Sequence, residues 1–254
     1  MQKVEISIVT VSFNSAETIE QTLDSINKQS FKNWEHIIID GLSTDETSVI
    51  VGNNSDPRRI FLSEKDEGIY DAMNKGLFLA KGNIVIILNS DDRFANSNVL
   101  QNLYDIFVTK NCDVIYSGIA FIDSAGKRLA KWIPEKFTKG SYSSGFHTPH
   151  PGFFVRRNVY EDLGQFDTNL KIAADFDLML RIMEAENIKL EHYAVVTVEQ
   201  RVDGASAKLK NIIVGFKDIL VAFKKAEMKV QPWTYAYLRY SKKILRKLVV
   251  LPRK

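Results

Sequence analysis

The first 117 residues alternate short runs of β-branched residues with segments whose apolar residues recur at helical spacing. The runs predict strands at 6–11, 35–40, 59–62, 83–88 and 112–117, and the segments between them predict helices near 44–53, 69–81 and 97–110. Because these strands are apolar on both faces, they indicate a parallel sheet covered by helices on both sides. The sequence therefore predicts an α/β fold, a class that binds ligands at the carboxyl edge of its sheet.

Two capping-box patterns follow predicted strands. Asn14 with Glu17, and Ser43 with Glu46, have the spacing in which a polar side chain caps a helix and an acid three residues on returns the hydrogen bond. We expect a helix to begin at each pattern. Both helix starts would then lie at the ligand-binding edge of the sheet.

The rest of the chain differs in pattern from this first half. Residues 118–145 are irregular and rich in Gly, Ser and aromatic residues, after which helices near 158–164 and 175–186 and a strand near 189–199 are expected. We therefore expect a main domain over 1–206, consisting of a first half (1–117) and a second half (118–206). A helical tail over 207–254 completes the division.

Composition limits the class of protein. The 254 residues are 45% hydrophobic and 26% charged, as expected of a globular protein with one sizeable core. No run approaches the ~18 to 20 apolar residues of a membrane-spanning helix, and the opening residues lack the apolar run of a signal peptide. A cytoplasmic protein is expected, and its single cysteine, Cys112, excludes a disulfide within the chain.

The charge is unevenly distributed along the chain. Residues 208–254 carry 13 Lys or Arg and 2 acids, a net charge of +11, whereas the whole chain carries only +3. Two apolar stripes at helical spacing accompany these charges, one from Leu209 to Phe223 and one from Trp233 to Leu248. Basic amphipathic helices with Trp and Tyr suit an anionic membrane surface. In an alternative arrangement, the first helix packs on the catalytic domain and only the second contacts lipid.

An acidic pair follows the predicted strand 83–88, in the segment Asn89-Ser90-Asp91-Asp92. Two carboxylates at the carboxyl end of a central strand suit Mg²⁺ or Mn²⁺, which can bridge to a diphosphate. The alternative is that one of these acids caps the next helix.

Asp40 and Phe13 end the second and first predicted strands. A carboxylate at this edge can face a pyrimidine base or a ribose hydroxyl, and an aromatic ring can stack on the base. Equally, Asp40 can form an Asx-type turn, and Phe13 can pack in the core. The sequence leaves both pairs of alternatives open.

Five ordered blocks carry a family resemblance. They are ISIVTVSFN (6–14), SINKQSFKNWEHIIIDGLSTDET (25–47), EKDEGIYDAMNKGLFLAKGNIVIILNSDD (64–92), HTPHPGFFVRR (147–157) and AADFDLMLR (173–181). Together they make the chain resemble a family 2 glycosyltransferase of the GT-A type over roughly residues 4–206. The resemblance implies a Rossmann-like, mostly parallel sheet flanked by helices, here with a C-terminal basic amphipathic helical extension. It also implies that residues 1–206 are the catalytic domain, with a nucleotide-sugar-binding half over 1–117 and an acceptor-binding half over 118–206.

The resemblance also implies roles for individual residues. Asn89-Ser90-Asp91-Asp92 corresponds to the DxD motif of the family, although Asn89 replaces its first acid. Asp92 is then the expected metal ligand for Mn²⁺ or Mg²⁺, and Asp91 faces the donor sugar or ribose. Donor contacts are expected from Val11, Phe13, Asp40, Asp66, Asn74 and Lys75. Of these, Asn74 and Lys75 either face the donor or belong to the helix surface.

Asp175 matches the xED position of the family, with Ala174 where Glu often stands, and is therefore the expected catalytic base. A carboxylate at a helix start is favoured in its ionised form, which can accept the proton of the acceptor hydroxyl. Asp177 is its neighbouring rival, and either acid can instead be only a helix-end charge. His150, in a Pro-rich loop, is expected to hydrogen-bond the acceptor rather than bind a metal.

The expected reaction is an inverting displacement that moves one sugar from a nucleotide diphosphate donor, a UDP-sugar, to a saccharide hydroxyl. The expected acceptor is a lipid-diphosphate-linked saccharide of bacterial surface polysaccharide synthesis, such as O-antigen, used at the inner face of the membrane. The segment 200–203 does not match the QxxRW motif of processive synthases. A non-catalytic nucleotide-sugar-binding or nucleic-acid-binding protein is the alternative, but acids at strand ends repel a polyanion. No nucleic-acid partner is expected.

Overall fold

The first part of the chain, up to residue 88, contributes four parallel strands to a sheet that has nine strands within the described residues. The computed structural model describes residues 3–202 and 209–238. In this first part the elements are β1 (Ile6–Ser12), α1 (Ile19–Asn27), β2 (Trp34–Asp40), α2 (Thr47–Asn53), β3 (Arg59–Ser63), α3 (Ile69–Leu79) and β4 (Ile84–Ile87). The strands are parallel in the order β3-β2-β1-β4, so the α/β prediction is confirmed here.

The rest of the chain, from residue 89 onward, adds strands of both directions. Its elements are β5 (Arg93–Phe94), α4 (Val99–Lys110), β6 (Val114–Ile122), β7 (Arg128–Trp132), β8 (Phe153–Arg156), α5 (Arg157–Leu163), α6 (Ala174–Glu184), β9 (Leu190–Arg201), α7 (Leu209–Lys225) and α8 over 232–238. The fifth predicted strand, β6, points the same way as β4 but does not pair with it. Instead, β8 lies antiparallel between them, and β9 pairs parallel with β6 on its other edge.

Both faces of the central strands are buried. Along β1, Ile6 and Ile8 belong to one apolar cluster, whereas Val9 and Val11 belong to the other. This alternation follows from the two-residue period of a strand, and helices cover both faces. Each fully buried side chain of this size contributes about 1.5 to 3 kcal/mol to folding. The central sheet is therefore a rigid base for the loops at its carboxyl edge.

The first helix of the basic tail packs on the catalytic core. Ile219 and Phe223 of α7 are buried in the same cluster as Phe176 of α6, and the rings of Phe176 and Phe223 lie 5.5 Å apart. Tyr235 of α8 packs against Phe223 at 4.9 Å. Of the two arrangements predicted for the tail, the structure shows the one in which its first helix packs on this domain.

The described part of α8 presents aromatic residues outward. Trp233 and Tyr237 are 87% and 72% exposed. The rest of the second predicted stripe, beyond residue 238, and the predicted domain boundary at 206 lie outside the described residues. Within 3–202 and 209–238, none of the helices has the length and apolar character needed to cross a membrane.

Candidate active site

The carboxyl ends of β1, β2 and β4 meet at one edge of the sheet. Ser12 of β1 is in register with Asp40 of β2, and the Ser90 N–H donates to the Val11 carbonyl at 3.3 Å. The hydroxyls of Ser15 and Ser90 lie 2.7 Å apart. The strand tips singled out in the sequence are therefore brought together.

Asp40 is completely buried and hydrogen-bonded within the protein. Its Oδ1 accepts from the Ser12 hydroxyl at 3.0 Å and from the Ser43 hydroxyl. Its Oδ2 accepts from the Ser63 hydroxyl at 2.7 Å and from the Ser43 N–H at 3.0 Å. This geometry is closer to the second alternative for Asp40, a side chain that stabilises a turn. A direct contact with a nucleobase would require one of these four hydrogen bonds to break.

The two predicted capping boxes are wrong. Helices α1 and α2 begin at Ile19 and Thr47, later than predicted, and neither has a side-chain cap. Instead, the Ser43 hydroxyl accepts from the Asn14 N–H at 2.8 Å, and Asn14 Oδ1 accepts from the Thr44 N–H at 2.9 Å. These two side chains therefore link the loop after β1 to the loop after β2 and do not cap helices.

Phe13 and Asp66 both lie close to Gly41 at this edge of the sheet. Phe13 is 63% exposed, so it does not pack in the core, whereas Val11 does. A Cβ atom on Gly41 would lie 2.6 Å from Asp66 Oδ2 and 3.4 Å from the Phe13 ring. The absence of a side chain at Gly41 therefore permits the Asp66 carboxylate to lie close to the backbone after β2. Gly41 was not among the predicted site residues, although a glycine directly after a strand tip is a signal of close approach.

Asn74 and Lys75 both have partners within the protein. The Asn74 amide donates to the Phe166 carbonyl at 2.9 Å and accepts from the Phe166 N–H at 3.1 Å. The Lys75 ammonium lies 2.8 Å from Glu64 and 3.3 Å from Asp71, and the hydrogen bond that it donates to Glu64 is the main cause of its raised pKa. Asn74 thus joins α3 to the loop before α6, and Lys75 secures the loop that carries Asp66. These contacts are all within the protein.

The acidic pair at the end of β4 includes unpaired oxygens. Asn89 Oδ1 and both carboxylate oxygens of Asp92 are buried without a hydrogen-bond partner. Burial raises the pKa of Asp91, and it raises that of Asp92 well above its usual range, with repulsion from Asp91 as a smaller cause. The Arg201 backbone N–H favours the Asp92 anion without forming a hydrogen bond of normal geometry.

This environment suits a hard divalent cation. Neighbouring buried carboxylates need a positive partner to remain ionised together, and Mg²⁺ sites typically combine one or two carboxylates with substrate phosphates. Asp92 is only 1% exposed, whereas Asp91 is partly exposed to the cleft. The pair does not cap α4, which begins at Val99 after Asn98. Within the part of the chain that the structure describes, no cluster of three or more His, Cys, Asp or Glu could hold a metal.

Asp175 lies in the first turn of α6 and contacts the donor half. The Tyr70 hydroxyl donates to the Ile172 carbonyl at 2.7 Å and to Asp175 Oδ1 at 3.2 Å. Burial and then the Asp175 charge raise the pKa of Tyr70 well above its usual range, so the phenol keeps its proton. Tyr70 was not among the predicted site residues.

His150 lies near the same carboxylate. Its ring meets Phe166 edge to face, with centroids 5.8 Å apart. Burial lowers the pKa of His150, and the charge of Asp175 only partly opposes this effect. His150 is therefore neutral at neutral pH, the form that can both donate and accept a hydrogen bond.

Asp177, the rival base, is enclosed. Its side chain is buried, and Oδ2 accepts from Arg181 Nε at 2.9 Å. The Arg181 guanidinium also donates to the carbonyls of Leu163 and Gln165, so the pair connects α6 to the loop after α5. Asp177 is therefore buried and paired with Arg181, whereas Asp175 is partly exposed.

Comparisons with known proteins agree with this architecture. Residues 7–164 match the family model described as glycosyl transferase family 2. The chain is 30% identical over 179 residues to the uncharacterized glycosyltransferase Rv1514c of Mycobacterium tuberculosis, covering 69% of this chain and 68% of that protein. It is 28% identical over 213 residues to the PGL/p-HBAD biosynthesis glycosyltransferase Rv2957 of the same organism, covering 82% and 80%.

Solved structures share the fold. Staphylococcus aureus TarS 1–349 in complex with UDP-GlcNAc has a TM-score of 0.72 at 16% identity, covering 93% of this chain and 71% of that one. The mannosyltransferase PcManGT of Pyrobaculum calidifontis, in complex with GDP-Man and Mn²⁺, has a TM-score of 0.66 at 19% identity, covering 96% and 72%. At these identities the likeness concerns the fold, which is that of the GT-A glycosyltransferases.

Proposed function

The chain belongs to glycosyl transferase family 2, and from that membership we propose that it moves one sugar from a UDP-sugar to a saccharide hydroxyl with inversion. The observation that carries this proposal is the contact between the two halves at Asp175. Tyr70 follows the loop that carries Asp66 in the donor half, and its hydroxyl lies 3.2 Å from Asp175 Oδ1 in the acceptor half. A carboxylate in this place borders both substrates.

In the proposed mechanism, Asp175 is the catalytic base. Tyr70 orients one carboxylate oxygen, and the other accepts the proton of the acceptor hydroxyl as that oxygen attacks the anomeric carbon. Neutral His150 hydrogen-bonds the acceptor. A single displacement through an oxocarbenium-like state inverts the anomeric centre.

We further propose that Asp91 and Asp92 hold a divalent cation, Mn²⁺ or Mg²⁺. Support comes from the unpaired oxygens of Asp92 and from Mn²⁺ in the PcManGT complex. When bound, such a cation would neutralise the charge that grows on the departing nucleoside diphosphate. Asp92 is the direct ligand expected from the sequence, but its enclosure makes Asp91 the acid with access to the diphosphate.

The nucleobase is proposed to bind between Phe13 and Asp66. The exposed Phe13 ring offers a stacking face, and the Asp66 carboxylate can accept from the imide N–H of a uracil. The UDP-GlcNAc complex of TarS supports the choice of uridine for a chain of this fold. Asp40 then acts indirectly, through the loops that it joins.

Asp66→Asn is expected to weaken UDP binding by roughly 10-fold or more, because a hydrogen bond to a charged group contributes about 1.5 to 3 kcal/mol. Isothermal titration calorimetry with UDP at fixed Mn²⁺ measures this. Glu67→Gln, in the same loop and exposed, is the matched control. Asp40→Asn should reduce both affinity and melting temperature, since it disturbs a buried network. Wild-type affinity in Asp66→Asn would exclude the proposed base contact.

A lipid-linked acceptor is proposed because the tail suits an anionic membrane surface. Trp233 and Tyr237 are exposed one helical turn apart, within a segment of net charge +11. Replacing both with Ala is expected to reduce binding to vesicles of anionic phospholipid by roughly 10-fold, because two large apolar surfaces no longer insert. Vesicle flotation measures this. Phe78→Ala, at an exposed aromatic residue outside the tail, is the control. Equal binding by all variants would count against the tail as the contact.

The proposed reaction is tested by incubating the full chain with a panel of UDP- and GDP-sugars, Mn²⁺ and a lipid-diphosphate saccharide. Transfer from one UDP-sugar, with an anomeric configuration opposite to that of the donor by NMR, is the expected result. Retained configuration would exclude the single displacement. Donor binding without transfer to any acceptor would favour the alternative of a non-catalytic nucleotide-sugar-binding protein.

A further inference from the structure

We propose that Asp218 of α7 is a positioning residue that holds the start of α6 so that Asp175 faces the acceptor. This inference rests on Asp175 being the base of the proposed function. It gives the first helix of the basic tail a role within the active site.

The contact is made by a single carboxylate oxygen. Asp218 Oδ2 accepts from the N–H groups of Ile172 at 2.7 Å and Ala173 at 3.2 Å. Asp218 is buried, and Ala173 is the N-cap residue of α6. The first N–H groups of a helix have no partner within it, and an alanine offers no side-chain oxygen to cap them. A carboxylate from a different helix, 46 residues along the chain, instead binds the N–H groups of this N-cap residue and of the residue before it.

Ile172 is held from two sides. Its N–H donates to Asp218, and its carbonyl accepts from the same Tyr70 hydroxyl that contacts Asp175. Gly215, one turn before Asp218, brings α7 close to this loop, since a Cβ atom there would lie 3.0 Å from Ile172 Cγ2. A shift of Ile172 therefore disturbs the hydrogen bond that orients the base.

The test compares Asp218→Ala, which removes the acceptor, with Asp218→Asn, which retains a carbonyl oxygen in the same place. Asp218→Ala is expected to lower kcat by on the order of 10- to 100-fold with the KM for donor unchanged, because small misplacements of a base cost this much. Asp218→Asn is expected to restore most of kcat. Ile219→Ala, a buried neighbour on α7, controls for loosened packing and should lower the melting temperature without this loss of kcat.

Gly215→Ala keeps the proposal testable if Asp218→Ala does not fold. Alanine favours the helix, but its methyl group displaces Ile172, so kcat should fall without a loss of stability. Wild-type kcat in both Asp218→Ala and Gly215→Ala would overturn the proposal, as would an equal loss of kcat in Ile219→Ala.

Amide hydrogen exchange separates this proposal from the proposed function. Asp218→Ala should accelerate exchange at Ile172 and Ala173 whether or not the chain transfers sugar. Unchanged exchange at these two amides would refute the positioning role of Asp218 alone. A wild-type chain that transfers no sugar, with exchange accelerated in the variant, would refute the proposed function alone.

Discussion

Asp175→Asn is expected to lower kcat by about 10² to 10⁴-fold while donor affinity and melting temperature stay close to wild type. Asparagine keeps the shape and the hydrogen bond to Tyr70 but cannot take a proton from the acceptor. Loss of a helix-end charge alone would cost only about 0.3 to 1 kcal/mol of stability and no chemistry. The measurement is kcat at saturating donor and acceptor, together with thermal unfolding of the same preparations.

Two further variants control this experiment. Asp177→Asn should show the opposite pattern, a lower melting temperature with nearly normal kcat, because it breaks the buried pair with Arg181. Asp162→Asn, at an exposed acid of α5, controls for the loss of one negative charge. A near-wild-type kcat in Asp175→Asn, or a larger loss in Asp177→Asn, would place the base elsewhere in the acceptor half.

Replacing the acids after β4 is expected to have the second large effect. Either Asp91→Asn or Asp92→Asn should lower kcat/KM by roughly 10²-fold or more at limiting Mn²⁺, because a bound divalent cation supplies several kcal/mol of charge stabilisation. Neither change should unfold the protein without metal, since burial already disfavours the charged form of both acids. Activity against Mn²⁺ concentration and the melting-temperature increase on adding Mn²⁺ with UDP measure this.

The comparison of the two variants identifies the direct ligand. The residue whose loss raises the Mn²⁺ requirement more is the ligand; the sequence favours Asp92, whereas solvent access favours Asp91. Asp105→Asn, at an exposed acid of α4, is the control. Unchanged Mn²⁺ dependence in both variants would remove the metal assignment from this segment.

Much of the fold could be predicted because strands and helices have local periods. The first four predicted strands, and the helices that follow three of them, are confirmed within a few residues. Strand β8 was missed because its four residues are too few for a period and their pairing with β4 and β6 is non-local. The capping boxes failed for a related reason. The same Asn and Ser serve a helix start or a neighbouring loop, and only proximity in space decides between them.

The candidate site likewise combines features that are local in sequence with contacts that depend on the whole fold. The sequence by itself determined which carboxylates follow strand ends, since a strand tip is a local feature; Asp40 and the Asp91-Asp92 pair were found in this manner. Asp175 was assigned from its match to the xED position of the family that the chain resembles. Only the tertiary structure decided what each polar group contacts. In the folded chain, Asp40 accepts four hydrogen bonds from neighbouring residues. Asn74 is hydrogen-bonded to the backbone of Phe166, and the Tyr70 hydroxyl is hydrogen-bonded to Asp175, 105 residues away. A buried polar group must find a partner, and packing of the whole chain, not sequence spacing, determines which partner is within reach.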